Sequence, residues 1–128
     1  YTEGIALNTD GLVSEGSGEN IFLVKDGVLI TNSLAASILG GITRASVMTI
    51  AEDAGLKVRE QDIPREMLYI ADEVFFAGSA VEVTPVRSID RITIGTGKRG
   101  PVTEQLQSRF FGITSGEAED RHSWLTYV

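Results

Sequence analysis

Three short stretches of this sequence carry residue types that could do chemistry together. Glu15 is a carboxylate set among small residues, Ser14-Glu15-Gly16-Ser17-Gly18. Gly40-Gly41-Ile42-Thr43-Arg44 is a glycine pair at the start of a helical pattern. Gly78-Ser79-Ala80 follows directly on an apolar run. A glycine pair lets backbone approach a ligand, and a helix opening there directs free N–H groups and its positive dipole end at an anion. A carboxylate at the other end could pair with a cationic ring nitrogen. The small residues at 78–80 leave room for a ligand and offer a hydroxyl. Taken together, these are the parts of a site for a planar, phosphorylated molecule. Each part also has an ordinary structural reading: a turn carboxylate, a capped helix after a flexible joint, a tight β-turn.

The elements that must position these residues follow from pattern. Glu3 to Leu7 reads as a strand, and Asn8-Thr9-Asp10-Gly11 turns it into Leu12-Val13-Ser14. Asn20 to Lys25 is a β-branched and aromatic run, and Asp26-Gly27 returns it through Val28 to Thr31. Four short strands with tight turns predict a mainly antiparallel sheet. Thr43 is placed to cap a helix over Arg44 to Ala54, with Gly55 as its left-handed terminator. Leu56 to Glu60 reads as a strand, and Pro64 to Tyr69 as a short helix. Glu73 to Ala77 is a strong strand. Val81 to Ile89 is another, marked by Pro85 as an edge. Arg91 to Ile94 adds a last strand, and Pro101 to Phe111 a helix with Val102, Leu106, Phe110 and the stem of Arg109 facing inward. With no repeat and no linker, one α+β domain over residues 1–128 is expected.

Composition removes several classes of function. A net charge of −7 argues against nucleic acid or an anionic membrane as partner. A phosphate would therefore be held by local geometry rather than by a basic surface. There is no cysteine, hence no disulfide or thiolate metal site, which suits a reducing cytoplasm. No run approaches the roughly 18 apolar residues of a membrane-spanning helix. His122 is the single histidine and sits in a polar tail, so neither a histidine-based triad nor a metal site is supported. The Gly95 to Gly100 loop lacks P-loop spacing and reads as a surface turn. Arg87 is expected in a structural ion pair.

Glu15-Gly16-Ser17-Gly18-Glu19-Asn20-Ile21-Phe22, Leu29-Ile30-Thr31 and Leu39-Gly40-Gly41-Ile42-Thr43-Arg44 resemble, in order and spacing, the signature of the class IV aminotransferases. These pyridoxal 5'-phosphate enzymes include branched-chain aminotransferase, D-amino-acid aminotransferase and aminodeoxychorismate lyase. The resemblance implies the C-terminal cofactor-binding domain of the D-amino-acid aminotransferase-like fold. It implies that Glu15 pairs with the pyridine nitrogen and Leu39 lies against the ring. Gly41, Ile42 and Thr43, with Gly78 and Ser79, would hold the phosphate, and Ser79 and Ala80 would receive the substrate α-carboxylate. Arg44 would serve the helix or a carboxylate. Ala71 to Phe75, Glu82 to Asp90, Gly100 to Thr103 and Trp124-Leu125 further resemble the bacterial branched-chain enzymes, implying exchange of an amino group between leucine, isoleucine or valine and 2-oxoglutarate. Relatives build their sites at dimer interfaces, which implies a homodimer or larger homo-oligomer.

One part of that chemistry has no match. The family's Schiff-base lysine lies on a strand upstream of the Glu15 block, and none of Lys25, Lys57 and Lys98 stands in such a context. It is expected upstream of Tyr1, making this chain a C-terminal fragment without a catalytic residue of its own. Two other classes remain open: a non-catalytic phosphate-binding domain, and a structural α+β domain whose glycines are only turn residues.

Overall fold

A computed structural model describes residues 4–16, 19–33, 41–78 and 82–116. Its centre is a five-stranded sheet in the order β5-β4-β3-β6-β7. The strands are β3 (Asn20–Lys25), β4 (Val28–Thr31), β5 (Lys57–Glu60), β6 (Glu73–Gly78) and β7 (Glu82–Pro85). The pairs β3–β4, β3–β6 and β6–β7 are antiparallel, while β4 and β5 run parallel. That parallel pair needs a crossover, supplied by helix α1 (Ile42–Asp53). The sheet is thus mixed. The first predicted hairpin, β1 (Ile5–Leu7) with β2 (Val13–Gly16), forms a separate two-stranded sheet rather than joining the second.

Both faces of the sheet are covered, which is why β3 and β6 read as nearly continuous apolar runs. On one face Ile21, Leu23, Ile30, Val74 and Phe76 pack with Val13 of β2, with Ile63, and with Leu68 of helix α2 (Arg65–Tyr69). On the other, Phe22, Leu29, Phe75 and Val83 pack against Val47 and Ile50 of α1 and Leu106 of helix α3 (Pro101–Thr114). Phe22 and Phe75 are register partners whose rings stack at 5.0 Å, an arrangement contributing about 0.5–1.5 kcal/mol beyond area burial.

Element ends depart from expectation in instructive ways. Helix α1 begins at Ile42 with Gly41 as its N-cap, so Thr43 lies inside the first turn and is not the cap. Its other end fits the pattern. Gly55 has φ +81°, its N–H meets the carbonyl of Glu52, and that of Leu56 meets Ala51, both at 3.0 Å. The predicted strand from Val81 to Ile89 is broken. After the edge strand β7 the chain leaves the sheet and makes a hairpin of β8 (Ser88–Ile89) and β9 (Ile92–Thr93), turned by Asp90 and Arg91, both at positive φ. Helix α3 runs three residues past Phe111, with Arg109 exposed rather than packed inward. Arg87 forms no ion pair among the described residues. His122 and Trp124-Leu125 lie outside the described residues, within which no helix is long and apolar enough to cross a membrane.

Two polar devices hold the periphery. The buried carboxylate of Glu73 accepts the N–H groups of Val102 (3.1 Å) and Thr103 (2.8 Å), closing the N-terminus of α3. Gly100 must be glycine because a Cβ there would overlap the Glu73 carboxyl group. On the surface, Tyr69 donates to Asp90, and Arg65 donates to both Tyr69 (2.8 Å) and Asp90 (2.8 Å), fastening the β8–β9 hairpin to α2. The hydrogen bond from Tyr69, then that from Arg65, hold the Asp90 carboxyl below its ordinary range. Because the folded value is the lower one, this clasp contributes above the ordinary carboxylate range and is lost as pH falls through the folded value.

Two outcomes follow. Glu73→Ala, which strips two first-turn N–H groups of their acceptor, should lower stability by about 1–3 kcal/mol, read as a shift in the urea midpoint. Tyr69→Phe should raise the Asp90 carboxyl pKa, followed by NMR titration, towards the free value of about 3.9.

Candidate functional site

Strand β2 is pinned before it delivers Glu15. The carbonyls of Val13 and Ser14 both accept from the side-chain amide of Asn32, which is fully buried just past β4. Glu15 follows, half-buried. The chain then closes tightly, the Gly16 N–H donating to the Glu19 carbonyl at 3.0 Å, and enters β3 at Asn20. A Cβ on Gly16 would crowd the Glu19 carboxylate at 3.0 Å, which favours glycine in the turn.

Asn20 then brings the parts together. Its side chain is buried, and its Nδ2 donates to Glu15 Oε2 at 3.4 Å. Its Oδ1 faces Gly41, where an added Cβ would lie 2.8 Å away. Gly41 has φ −81°, which any residue adopts, so glycine is favoured there by space and not by conformation: a larger residue would need the Asn20 side chain to move. The backbone of Asn20 pairs with Ala77 in β6, one residue before Gly78. Glu15, the start of α1 and the end of β6 thus meet at one end of the sheet.

The N-terminus of α1 has no side-chain cap and no acidic residue in its first turn. Its first N–H groups have no intrahelical acceptor. Helix α3 provides the contrast: it too starts after a glycine, yet the Glu73 carboxylate occupies its N-terminus. No carboxylate among the described residues does this for α1, which is therefore open to an anion from outside the helix. Ile42, at the first helical position, is 86% exposed, whereas Thr43 is buried.

Arg44 does not face that anion position. Its buried guanidinium donates to the Asn32 carbonyl and to Glu60, each at 3.0 Å. It braces α1 against the ends of β4 and β5, as expected for a residue serving a carboxylate. The same Asn32 thereby ties together β2, β4 and α1.

Of the residues predicted to form a site, Glu15, Gly41, Ile42, Thr43 and Gly78 gather at this end of the sheet, while Leu39, Ser79 and Ala80 lie outside the described residues. Asn20 and Asn32 were not singled out from sequence. Their signal was present: each is a carboxamide at the edge of an apolar run that buries both faces. The lysines sit at the opposite end. Lys25 closes β3, about 17 Å from Asn20 at strand spacing, and pairs with Val28, which pairs in turn with Lys57. Lys98 lies in the loop leading to Gly100, which abuts Glu73, the residue opposite Val24 at that same end.

With fold and geometry in hand, comparison with known proteins is specific. The family profile for amino-transferase class IV matches residues 1–89, more than half of the chain, and the chain belongs to that family. It is 54% identical to the branched-chain-amino-acid aminotransferase of Escherichia coli (strain K12), over all of this chain and 41% of that protein. The crystal structure of the branched-chain amino acid aminotransferase of Escherichia coli superposes with a TM-score of 0.97 at 54% identity, covering 99% of this chain and 42% of that one. The T.th. branched-chain amino acid aminotransferase complexed with N-(5'-phosphopyridoxyl)-L-glutamate matches with a TM-score of 0.94 at 45% identity, over 98% and 42% of the two chains. The chain thus spans about two fifths of the length of the curated relatives it matches, 41% in the first case.

Arg44→Met, which removes both guanidinium contacts while keeping an apolar stem, should cost about 1–3 kcal/mol, measured by thermal denaturation. An unchanged midpoint would show that Arg44 does not brace the helix.

Proposed function

We propose that these residues form the pyridoxal-phosphate-binding part of a branched-chain aminotransferase. The observation that carries this is the joint at Asn20: a carboxylate on one side of its carboxamide and an uncapped helix N-terminus on the other, in a chain of the class IV family. The residues fit the cofactor. Glu15 offers a carboxylate to a pyridine nitrogen and favours its protonated form. The first N–H groups of α1, at Ile42 and Thr43, receive a phosphate beside Gly41, whose missing Cβ leaves the approach clear. Gly78 and Ser79 close the phosphate from the end of β6, and Leu39 lies against the ring. Ser79 and Ala80 receive the substrate α-carboxylate through their N–H groups. Bound there, pyridoxal phosphate supplies an electron sink for negative charge developing at the substrate α-carbon.

The lysine that completes the site comes from outside Tyr1–Val128, a reading supported by the distance of Lys25, Lys57 and Lys98 from Asn20. Leucine, isoleucine and valine are the amino donors and 2-oxoglutarate the acceptor. Similarity to branched-chain relatives supports the donors. The glutamate adduct held by the T.th. enzyme supports the acceptor, since glutamate is aminated 2-oxoglutarate. A cytoplasmic homo-oligomer is the assembly we infer, on family likeness.

The test uses the full-length polypeptide. With leucine and 2-oxoglutarate it should form glutamate, and borohydride reduction should fix the cofactor on a lysine outside these 128 residues, located by peptide mass spectrometry. Glu15→Ala should weaken pyridoxal-phosphate binding by about 10–100-fold, the loss expected for a hydrogen bond to a charged group. A stoichiometric adduct on Lys25, Lys57 or Lys98 that depends on Glu15 would overturn the placement of the lysine. Amino transfer from D-amino acids alone would assign a different member of the family.

A further inference from the structure

Asn20 lies between Glu15, Gly41 and the end of β6, and the cofactor reading above gives it no direct contact. Three observations define its position. Its carboxamide donor end points at Glu15, with Nδ2 and Oε2 3.4 Å apart. Its acceptor end fills the space in front of Gly41, within 2.8 Å of where a side chain would begin. Its backbone is fixed by pairing with Ala77 in the fully buried strand β6. The side chain is itself buried, so its orientation is set by the fold and not by solvent.

We propose that Asn20 is a positioning residue, the strut that sets the Glu15 carboxylate at a fixed distance and angle from the N-terminus of α1. This rests on the cofactor reading and deepens it. A carboxylate that serves a ring nitrogen and a helix end that serves a phosphate must be spaced to fit one rigid molecule. A flexible Glu15 side chain would have to give up its rotamer freedom on binding. A donor from Asn20 removes that freedom in advance. A carboxamide of this size offers Glu15 a donor while its other end packs against Gly41. Aspartate would turn an acceptor towards Glu15, and leucine would offer it nothing. The same contact explains Gly41, because any larger residue there would push Asn20 off Glu15.

The experiment measures pyridoxal-phosphate affinity of the full-length protein, by absorbance titration, as a function of pH. Asn20→Asp is nearly isosteric. It should lose affinity by about 10–100-fold near pH 8, where two facing carboxylates repel. The loss should shrink as pH falls, because one protonated carboxyl can again donate to the other. The parent protein should not show this recovery. Gly41→Ala should also weaken binding, and adding Asn20→Ala should not weaken it further, since the obstructed strut is already gone. An affinity and pH profile of Asn20→Asp matching the parent, or losses that multiply in the Gly41→Ala/Asn20→Ala pair, would overturn the proposal. If Asn20→Ala does not fold, the pH profile of Asn20→Asp decides. Failure of the parent protein to bind pyridoxal phosphate, or binding indifferent to Glu15→Ala, would instead sink the cofactor reading itself. Retained Glu15-dependent binding with a silent Asn20 sinks the strut alone.

Discussion

The antiparallel pairing of β3 with β6 constrains everything else in this fold. Five register pairs, from Asn20 opposite Ala77 to Val24 opposite Glu73, run through the middle of the sheet. Every residue of β6, and all of β3 but Lys25, is buried, because α1 and α3 cover one face and β2 and α2 the other. A sheet filled on both faces has no room for a ligand against its surface. Chemistry is confined to its ends, where strands stop and helices begin. The register decides which residues meet there: Asn20 and Gly78 at one end, Glu73 and Lys25 at the other.

The two ends resolve the same electrostatic problem differently. Each receives the N-terminus of a long helix that begins after a glycine and has no cap of its own. At the β6 start, Glu73 supplies the missing acceptor from within the protein, and that helix end is closed. At the β3 start, the Glu15 carboxylate is held by Asn20, and no carboxylate among the described residues closes the N-terminus of α1. Arg44, the cation that follows in sequence, is engaged by Asn32 and Glu60. Among the described residues, what faces an anion placed here is the start of the helix and not a positive side chain. That is consistent with a chain of net charge −7 serving a phosphorylated molecule, since backbone dipoles discriminate by geometry and act over one turn only.

Much of this was legible from sequence because turn chemistry is local. Asp26-Gly27 fixed the β3–β4 hairpin, Gly55 the end of α1, and Pro85 the edge character of β7. What was not legible came from partners distant in sequence. Thr43 looks like a helix cap by residue type, but the helix begins at Ile42 with Gly41 as its N-cap, packed against the side chain of Asn20, 21 residues before it. Val81 to Ile89 looks like one strand, yet Asp90 adopts a left-handed turn stabilised by Tyr69 and Arg65 of α2, and the chain folds back on itself. The parallel pairing of β5 with β4 depends on where α1 returns the chain, which no short pattern encodes. Within the site, the motif residues were readable as types. The two carboxamides that support them were not, since an asparagine in an apolar run declares its purpose only when its partners are known.

The arrangement also bears on how substrate choice is divided. On the proposed function, the described residues gathered here address the parts of the cofactor that stay the same whatever the substrate: its ring nitrogen and its phosphate. They stand at the ends of β2, β3 and β6, strands buried over most of their length and therefore costly to displace, and at the start of α1, which packs on β3 and β6. Binding a constant group at a rigid place makes the orientation of the α-carbon independent of the side chain it carries. Residues that select a branched side chain can then vary without disturbing the cofactor. Asn20 is the physical condition for that separation, because one carboxamide makes the carboxylate and the phosphate end move as a unit.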